Sequence, residues 1–188
     1  YVDGNDLVVI GNSWGNEKGQ TVMVIFDITN RSSVSFKRKV SFDGNYVSSR
    51  KIGDRVFLVM NDQPLYRILP LMQAEQPQTI PQNDLVPNFT DSKVGRTMPA
   101  APCSQVHFYP QYSDMNFLIV AAVPLSGADS QTVKKEVFMG SGEQVYASLE
   151  NLYVAANRYE YNEQIKYDIW VPPVTNQKTV VYRFSLDP

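Results

Sequence analysis

The chain repeats itself at long range. Gly4-Asn-Asp-Leu-Val-Val-Ile10 returns 49 residues later as Gly53-Asp-Arg-Val-Phe-Leu-Val59. A third copy, Glu150-Asn-Leu-Tyr-Val-Ala155, lies 96 residues further on if Leu152 answers Val56. That second spacing is one unit of 49 plus an insertion of 47. The flanks repeat as well. Tyr46-Val-Ser-Ser49 is echoed by Val145-Tyr-Ala-Ser148, and Met23-Val-Ile-Phe-Asp-Ile28 by Val181-Tyr-Arg-Phe-Ser-Leu186. A unit of this length that cannot bury its own apolar face must stack on its copies.

The residue balance says what each unit is made of. Val, Ile and Thr number 40 against 20 for Leu and Ala. β-Branched side chains lose χ1 freedom in helices and pack well on pleated surfaces. The strongest helical candidate is a turn or so between Ser126 and Lys135. Apolar runs punctuated by Asp-Gly and Gly-Asp pairs read instead as short antiparallel strands. Four strands in about 49 residues match one blade of a propeller, in the order inner, second, third, outer.

The expected fold is therefore all-β: a partial β-propeller of about two and a half four-stranded antiparallel blades, forming one unit over residues 1–188. Residues 1–43 are an incomplete blade one that lacks most of its inner strand, and 44–140 are blade two. Residues 141–188 are an incomplete blade three that stops after its third strand. A Pro-rich insertion, 61–115, separates the second and third strands of blade two and holds eight of the twelve prolines. It should spread over one face of the propeller. The outer strands, Lys37–Phe42 and Val133–Phe138, carry Lys37, Arg38 and Lys39, and Lys134, Lys135 and Glu136, as a solvated rim would. So few blades cannot close a ring. Other blades or a second copy are expected to cover the open ends.

Three stretches carry a family resemblance: Val2-Asp-Gly-Asn-Asp-Leu-Val-Val-Ile-Gly-Asn12, Tyr46-Val-Ser-Ser-Arg-Lys-Ile-Gly-Asp-Arg-Val-Phe-Leu-Val59, and Gly140-Ser-Gly-Glu-Gln-Val-Tyr-Ala-Ser-Leu-Glu-Asn-Leu-Tyr-Val-Ala155. They resemble the secreted β-propeller domains of bacteria and archaea that are distant relatives of WD-repeat propellers. The resemblance implies a secreted or cell-surface protein. It implies no catalytic residues, and this chain is shorter than a full domain of that kind.

Charge and chemistry narrow the function. A net charge of -2 gives no basic field for nucleic acid or an anionic membrane surface. No apolar run approaches the roughly 18 residues of a membrane span. The opening Tyr1-Val-Asp-Gly4 has no charged or apolar leader region, so this segment shows no signal peptide. Cys103 is the single cysteine, which excludes an internal disulfide or a cysteine-rich zinc site. Asp3-Gly-Asn-Asp6 lacks the pattern and closing Glu of a calcium loop and reads as a turn. Gly140-Ser-Gly142 joins no strand to a helix, so it reads as a passage between blades rather than a phosphate cradle. Asn30-Arg-Ser32 and Asn88-Phe-Thr90 match glycosylation sequons by pattern alone. No metal, cofactor or catalytic residue is assigned.

What remains suits recognition. Ser49 and Ser148 hold equivalent places near the ends of inner strands, where small side chains fit a crowded axis. Arg50, beside Ser49, could meet an anion at the channel mouth. The insertion offers Tyr66, Arg67, His107, Tyr109 and Tyr112, and tyrosine and arginine dominate many binding surfaces. His107, the only histidine, has no flanking catalytic motif. The expected function is a non-catalytic binding or scaffold module for a protein or glycan. The alternative is a propeller hydrolase acting on a glycan or similar polymer through a carboxylate or metal site.

Overall fold

The computed structural model describes residues 1–15, 18–65, 68, 79–80, 85–108, 115–126, 132–161 and 174–186. Three antiparallel sheets account for them. The first runs β1 (Val2–Asp3), β2 (Asp6–Gly15), β3 (Lys18–Asp27), β4 (Ser35–Asp43), β7 (Asn88–Asp91), β8 (Arg96–Pro99). The second runs β5 (Asn45–Ile52), β6 (Arg55–Asp62), β9 (Phe117–Pro124), β10 (Lys134–Met139). The third runs β11 (Gln144–Ala147), β12 (Asn151–Tyr161), β13 (Val174–Ser185).

The repeated turns join inner to second strands. Gly4 and Gly53 open two-residue hairpins at φ +56° and +57°, between Asp3 and Asp6 and between Ile52 and Arg55. Glycine takes that left-handed backbone without a Cβ penalty.

Strand alternation decides how the sheets stack. In β6, Val56, Leu58 and Met60 face one core, whereas Phe57 and Val59 face another. In β9, Phe117, Ile119, Ala121 and Val123 face the first core, and Leu118 and Val120 the second. The first core is completed by Val8, Met23, Ile25, Val40 and Phe42 of the first sheet. The second is completed by Leu152, Val154 and Leu186, with Tyr182 and Phe184 packed against it. The middle sheet is thus buried on both faces, as its near-continuous apolar strands require. A two-sheet sandwich would have a single core between its sheets. Successive antiparallel sheets stacked face to face make this a partial β-propeller.

Crossings between sheets are tight. Gly44 turns β4 into β5 at φ +103°, and a Cβ there would stand 2.7 Å from the Asn61 carbonyl oxygen. Between β10 and β11 the Asn61 side chain clamps the next crossing: its Nδ2 donates to the Gly142 carbonyl at 2.7 Å, and its Oδ1 accepts from the Gly142 N–H at 2.9 Å. A Cβ on Gly142 would lie 2.5 Å from Val154 Cγ1. Gly140-Ser-Gly142 is therefore the passage the sequence suggested, with close backbone approach as the reason for glycine.

Three expectations need correcting. The 126–135 stretch contributes no helix among its described residues; Lys134 and Lys135 begin β10, where Val137, like Val133 just before the strand, falls on the face toward the first core. The outer strand of the first sheet is a solvated rim only in part: Lys37 and Lys39 are exposed, and Arg38 is not. Arg38 is 1% exposed: it shares the inward face of β4 with Val40 and Phe42, and Asp91 of β7 and the Pro124 carbonyl of the second sheet close over it. Nor do the described parts of the 61–115 insertion spread over one propeller face. The β7–β8 hairpin extends the first sheet, and the stretch near His107 reaches the outer edge of the second. Unpaired strand edges are costly to leave bare, and the insertion supplies their partners.

Candidate functional site

The middle sheet has four strands and the third, among the described residues, has three. Among the described residues, the outer part of the middle sheet's second face has no opposing strand. A groove of about 400 Å³ lies there. Its floor is Phe57, Val120 and Ala122, and its far wall is Phe184 and Leu186. Register explains the floor: Phe57 pairs with Ala122, and Ala122 with Lys134, in one cross-strand row. Arg55, Lys134, Lys135 and Arg183 line the groove with a single carboxylate, Glu136. Lys134 and Arg183 are exposed. Among the described residues Arg55 makes a long ion pair, Nε to Asp54 Oδ1 at 3.8 Å. The groove is thus apolar below and cationic above.

Lys135 points the other way. Its Nζ stands 4.2 Å from the Phe89 ring centroid, and partial burial lowers its pKa from the usual 10.5. It contributes to the groove mainly through the edge of β10.

His107 meets the groove from outside. Its N–H donates to the Val137 carbonyl and its own carbonyl accepts from Met139, so it caps the outer edge of β10. Its Nε2 is 2.9 Å from Glu136 Oε2. Its ring stacks on Phe138 at 4.8 Å, and Phe138 meets Phe184 edge-on at 5.0 Å. An aromatic row therefore runs from His107 through the middle sheet to the groove wall. His107 and Glu136 are 54% and 61% exposed, so the pair sits in water at the lip.

Arg50 is elsewhere. Its Nη1 donates to Ser49 O at 2.6 Å and Ser48 Oγ at 3.0 Å, and its Nη2 to Val145 O at 3.3 Å. The guanidinium ties inner strand β5 to inner strand β11, and much of its donor capacity is spent on that tie. Ser49 is more than a small side chain at a crowded axis: its Oγ lies 2.9 Å from both the Tyr1 and Tyr46 hydroxyls. Ser148, its sequence counterpart, instead caps the β11–β12 turn by accepting from Asn151 N at 3.0 Å. Tyr66, Arg67, Tyr109 and Tyr112 lie outside the described residues.

The turn carboxylates are paired by lysines. Lys37 Nζ is 2.7 Å from Asp6 Oδ1, and Lys51 Nζ is 3.1 Å from Asp3 Oδ1. The second sequon is spoken for as well, since Asn88 Nδ2 donates to Asp43 Oδ2 at 3.3 Å. Among the described residues, no group of three or more His, Cys, Asp or Glu side chains could hold a metal ion.

Sequence reasoning named His107 and did not anticipate the groove. Four strands build it from positions spread between Arg55 and Leu186, and no contiguous motif marks it. The one local signal was the basic load of Lys134 and Lys135 on an outer strand.

A family model described as a β-propeller domain matches residues 1–188. No curated protein and no solved structure matches the chain.

Proposed function

The chain belongs to the β-propeller domain family, and from that premise we propose that it is a non-catalytic binding or scaffold module of a larger propeller, working outside the cell. The groove between the second and third sheets carries this reading. An apolar floor with a cationic rim suits a partner that brings both apolar contact and negative charge. The extracellular placement draws on the sequence resemblance of the Gly140–Ala155 stretch. The scaffold role draws on the end faces. Val2, Leu7, Phe26 and Phe36 form one row across the first sheet, with Phe36 59% exposed. On the third sheet Tyr146 is 67% exposed and packs beside Tyr153. These are the faces that further blades would cover. Glycoside hydrolysis uses two facing carboxyl groups, and Glu136 is the one carboxylate among the groove's described lining residues.

The test is a binding titration on the 188-residue chain with acidic peptides and sulfated oligosaccharides. Lys134→Glu and Arg183→Glu should each weaken binding of an anionic ligand about tenfold, and added salt should weaken it further. Binding indifferent to both substitutions would remove the groove from the function. Glycan hydrolysis that disappears with Glu136→Gln would favour the hydrolase instead.

A further inference from the structure

The end of the molecule opposite the Gly4 and Gly53 turns carries a second cluster. Arg55 of the groove begins β6, whereas Asn45 pairs with Asn61 near the far end of that strand. There Trp14 of β2 stands 75% exposed, and its cross-strand partner is Gly19 of β3. A Cβ on Gly19 would lie 3.2 Å from Trp14 Cζ3 and 2.6 Å from Asn45 Oδ1. The indole and the Asn45 amide therefore meet over Gly19, and most of the ring is open to water.

The backbone beneath this cluster is pinned from both sides. Gly44 N–H donates to the Gly19 carbonyl at 2.9 Å, and Thr21 Oγ1 donates to the Gly44 carbonyl at 3.0 Å. Tyr46 N–H donates to Asn12 Oδ1 at 2.9 Å. Asn12 and Trp14 are two residues apart on β2, so they share a face. With its Oδ1 held, the exposed Asn12 amide keeps Nδ2 as a donor with no acceptor among the described residues. Asn45 Oδ1 is buried, and it accepts no hydrogen bond among the described residues. Buried acceptors are nearly always satisfied, so an orphan beside an open aromatic ring marks a place for a donor to arrive. The terminal torsion of asparagine is soft, and a modest turn brings Oδ1 from Gly19 toward a ligand lying on the indole.

We propose that Trp14, Asn12 and Asn45 form a binding site for an uncharged oligosaccharide. A pyranose ring has an apolar C–H face bordered by hydroxyl groups, each able to donate and to accept. The indole takes the C–H face, and the two amides offer donors and an acceptor to neighbouring hydroxyls. None of the three side chains is ionisable, which suits a neutral sugar rather than the anionic partner assigned to the groove. The pinned hairpin and crossing hold the platform in place, so little has to be ordered when a rigid sugar ring lands on it. This site is separate from the groove, and neither depends on the other.

The experiment titrates cellohexaose, chitohexaose and mannohexaose into the 188-residue chain, read by calorimetry and by tryptophan emission. At least one sugar should bind and shift the emission, with an affinity that added salt does not lower. Trp14→Ala should abolish that binding in the calorimeter, and Trp14→Tyr should restore part of it. Trp14 stands mostly in water, so both variants keep the fold. Asn12→Ala and Asn45→Ala should each weaken binding about fivefold to tenfold. Lys134→Glu should leave it unchanged. Failure of all three sugars to bind at millimolar concentration would overturn the proposal, and so would binding that survives Trp14→Ala. Sugar binding lost with Lys134→Glu but kept in Trp14→Ala would move the sugar to the groove, which overturns this site and leaves the groove reading standing.

Discussion

Two outer edges of this molecule carry arginine, and they meet opposite fates. Arg38 on β4 is 1% exposed and Asp91 facing it is 1% exposed. The guanidinium forks onto the carboxylate, Nε to Oδ1 at 3.1 Å and Nη2 to Oδ2 at 2.5 Å, and Nη1 donates to the Pro124 carbonyl at 3.2 Å. That last bond ties the first sheet to the second. Arg183 on β13 is exposed beside an open groove. Residue type is the same, but the faces differ: Arg38 shares the inward face of β4 with Val40 and Phe42, whereas Arg183 pairs with Tyr153 on the face away from the second core. The inward face and the covering strand β7 together remove water from Arg38 and make its partner carboxylate obligatory.

Removing the carboxylate from the covered edge gives the largest effect. Asp91→Ala leaves Arg38 buried and uncompensated, and should cost about 3–5 kcal/mol in urea unfolding. The double change Arg38→Met with Asp91→Leu should recover most of that loss, since an apolar pair of similar volume avoids desolvating two charges. A single Asp91→Ala that unfolds like the parent would show that water reaches Arg38, and the contrast between edges would collapse.

The crossing that fixes the third sheet comes next. Gly142→Ala places a Cβ against Val154 and Leu118 and should cost about 1–3 kcal/mol. Gly11→Ala, where a Cβ meets nothing within 4 Å, serves as the control and should be nearly neutral. If the two variants melt alike, the third sheet is held less closely than this packing requires.

A smaller effect is expected at Lys135, which leans from the edge of β10 onto the covering strand. Its pKa is lowered because burial disfavours the charged ammonium. Below that lowered value both folded and unfolded chains carry the proton, and the burial penalty is fully felt. As pH rises toward the ordinary 10.5, the folded state releases its proton first, so stability rises through that window. Lys135→Met should flatten this alkaline rise. An unchanged pH profile of unfolding would assign the rise to another group.

The smallest effect belongs to the exposed Arg183 of β13. Arg183→Ala should change stability by no more than about 0.5 kcal/mol while still weakening binding of acidic ligands. A loss comparable to that of Asp91→Ala would mean that β13 is covered after all.

Much of the architecture was legible in the chain. The repeat between Gly4 and Gly53 marks two equivalent hairpins, and the spacing to Leu152 places a third copy against the middle sheet. Period-two alternation in Val56–Met60 and Phe117–Val123 was readable as buried strand, although which face met which sheet was not. The site was far less legible. His107 drew notice as the only histidine, yet its role at the groove's lip rests on Glu136, 29 positions away. Arg50 was read as an anion ligand, and the structure ties it to the Val145 carbonyl of the neighbouring inner strand.

The sequence by itself determined strands, turns and the stacking unit, because these follow from alternation and glycine placement within a few residues of each other. The tertiary structure decided which edges meet water. Lys37-Arg-Lys39 and Lys134-Lys-Glu136 look alike as local patterns. Only the pairing of β7 with β4, across about fifty residues of chain, brings Asp91 to Arg38, whereas Lys134 faces the groove. Burial of a strand edge is a non-local event, and nothing in the edge's own residues encodes the segment that arrives to cover it.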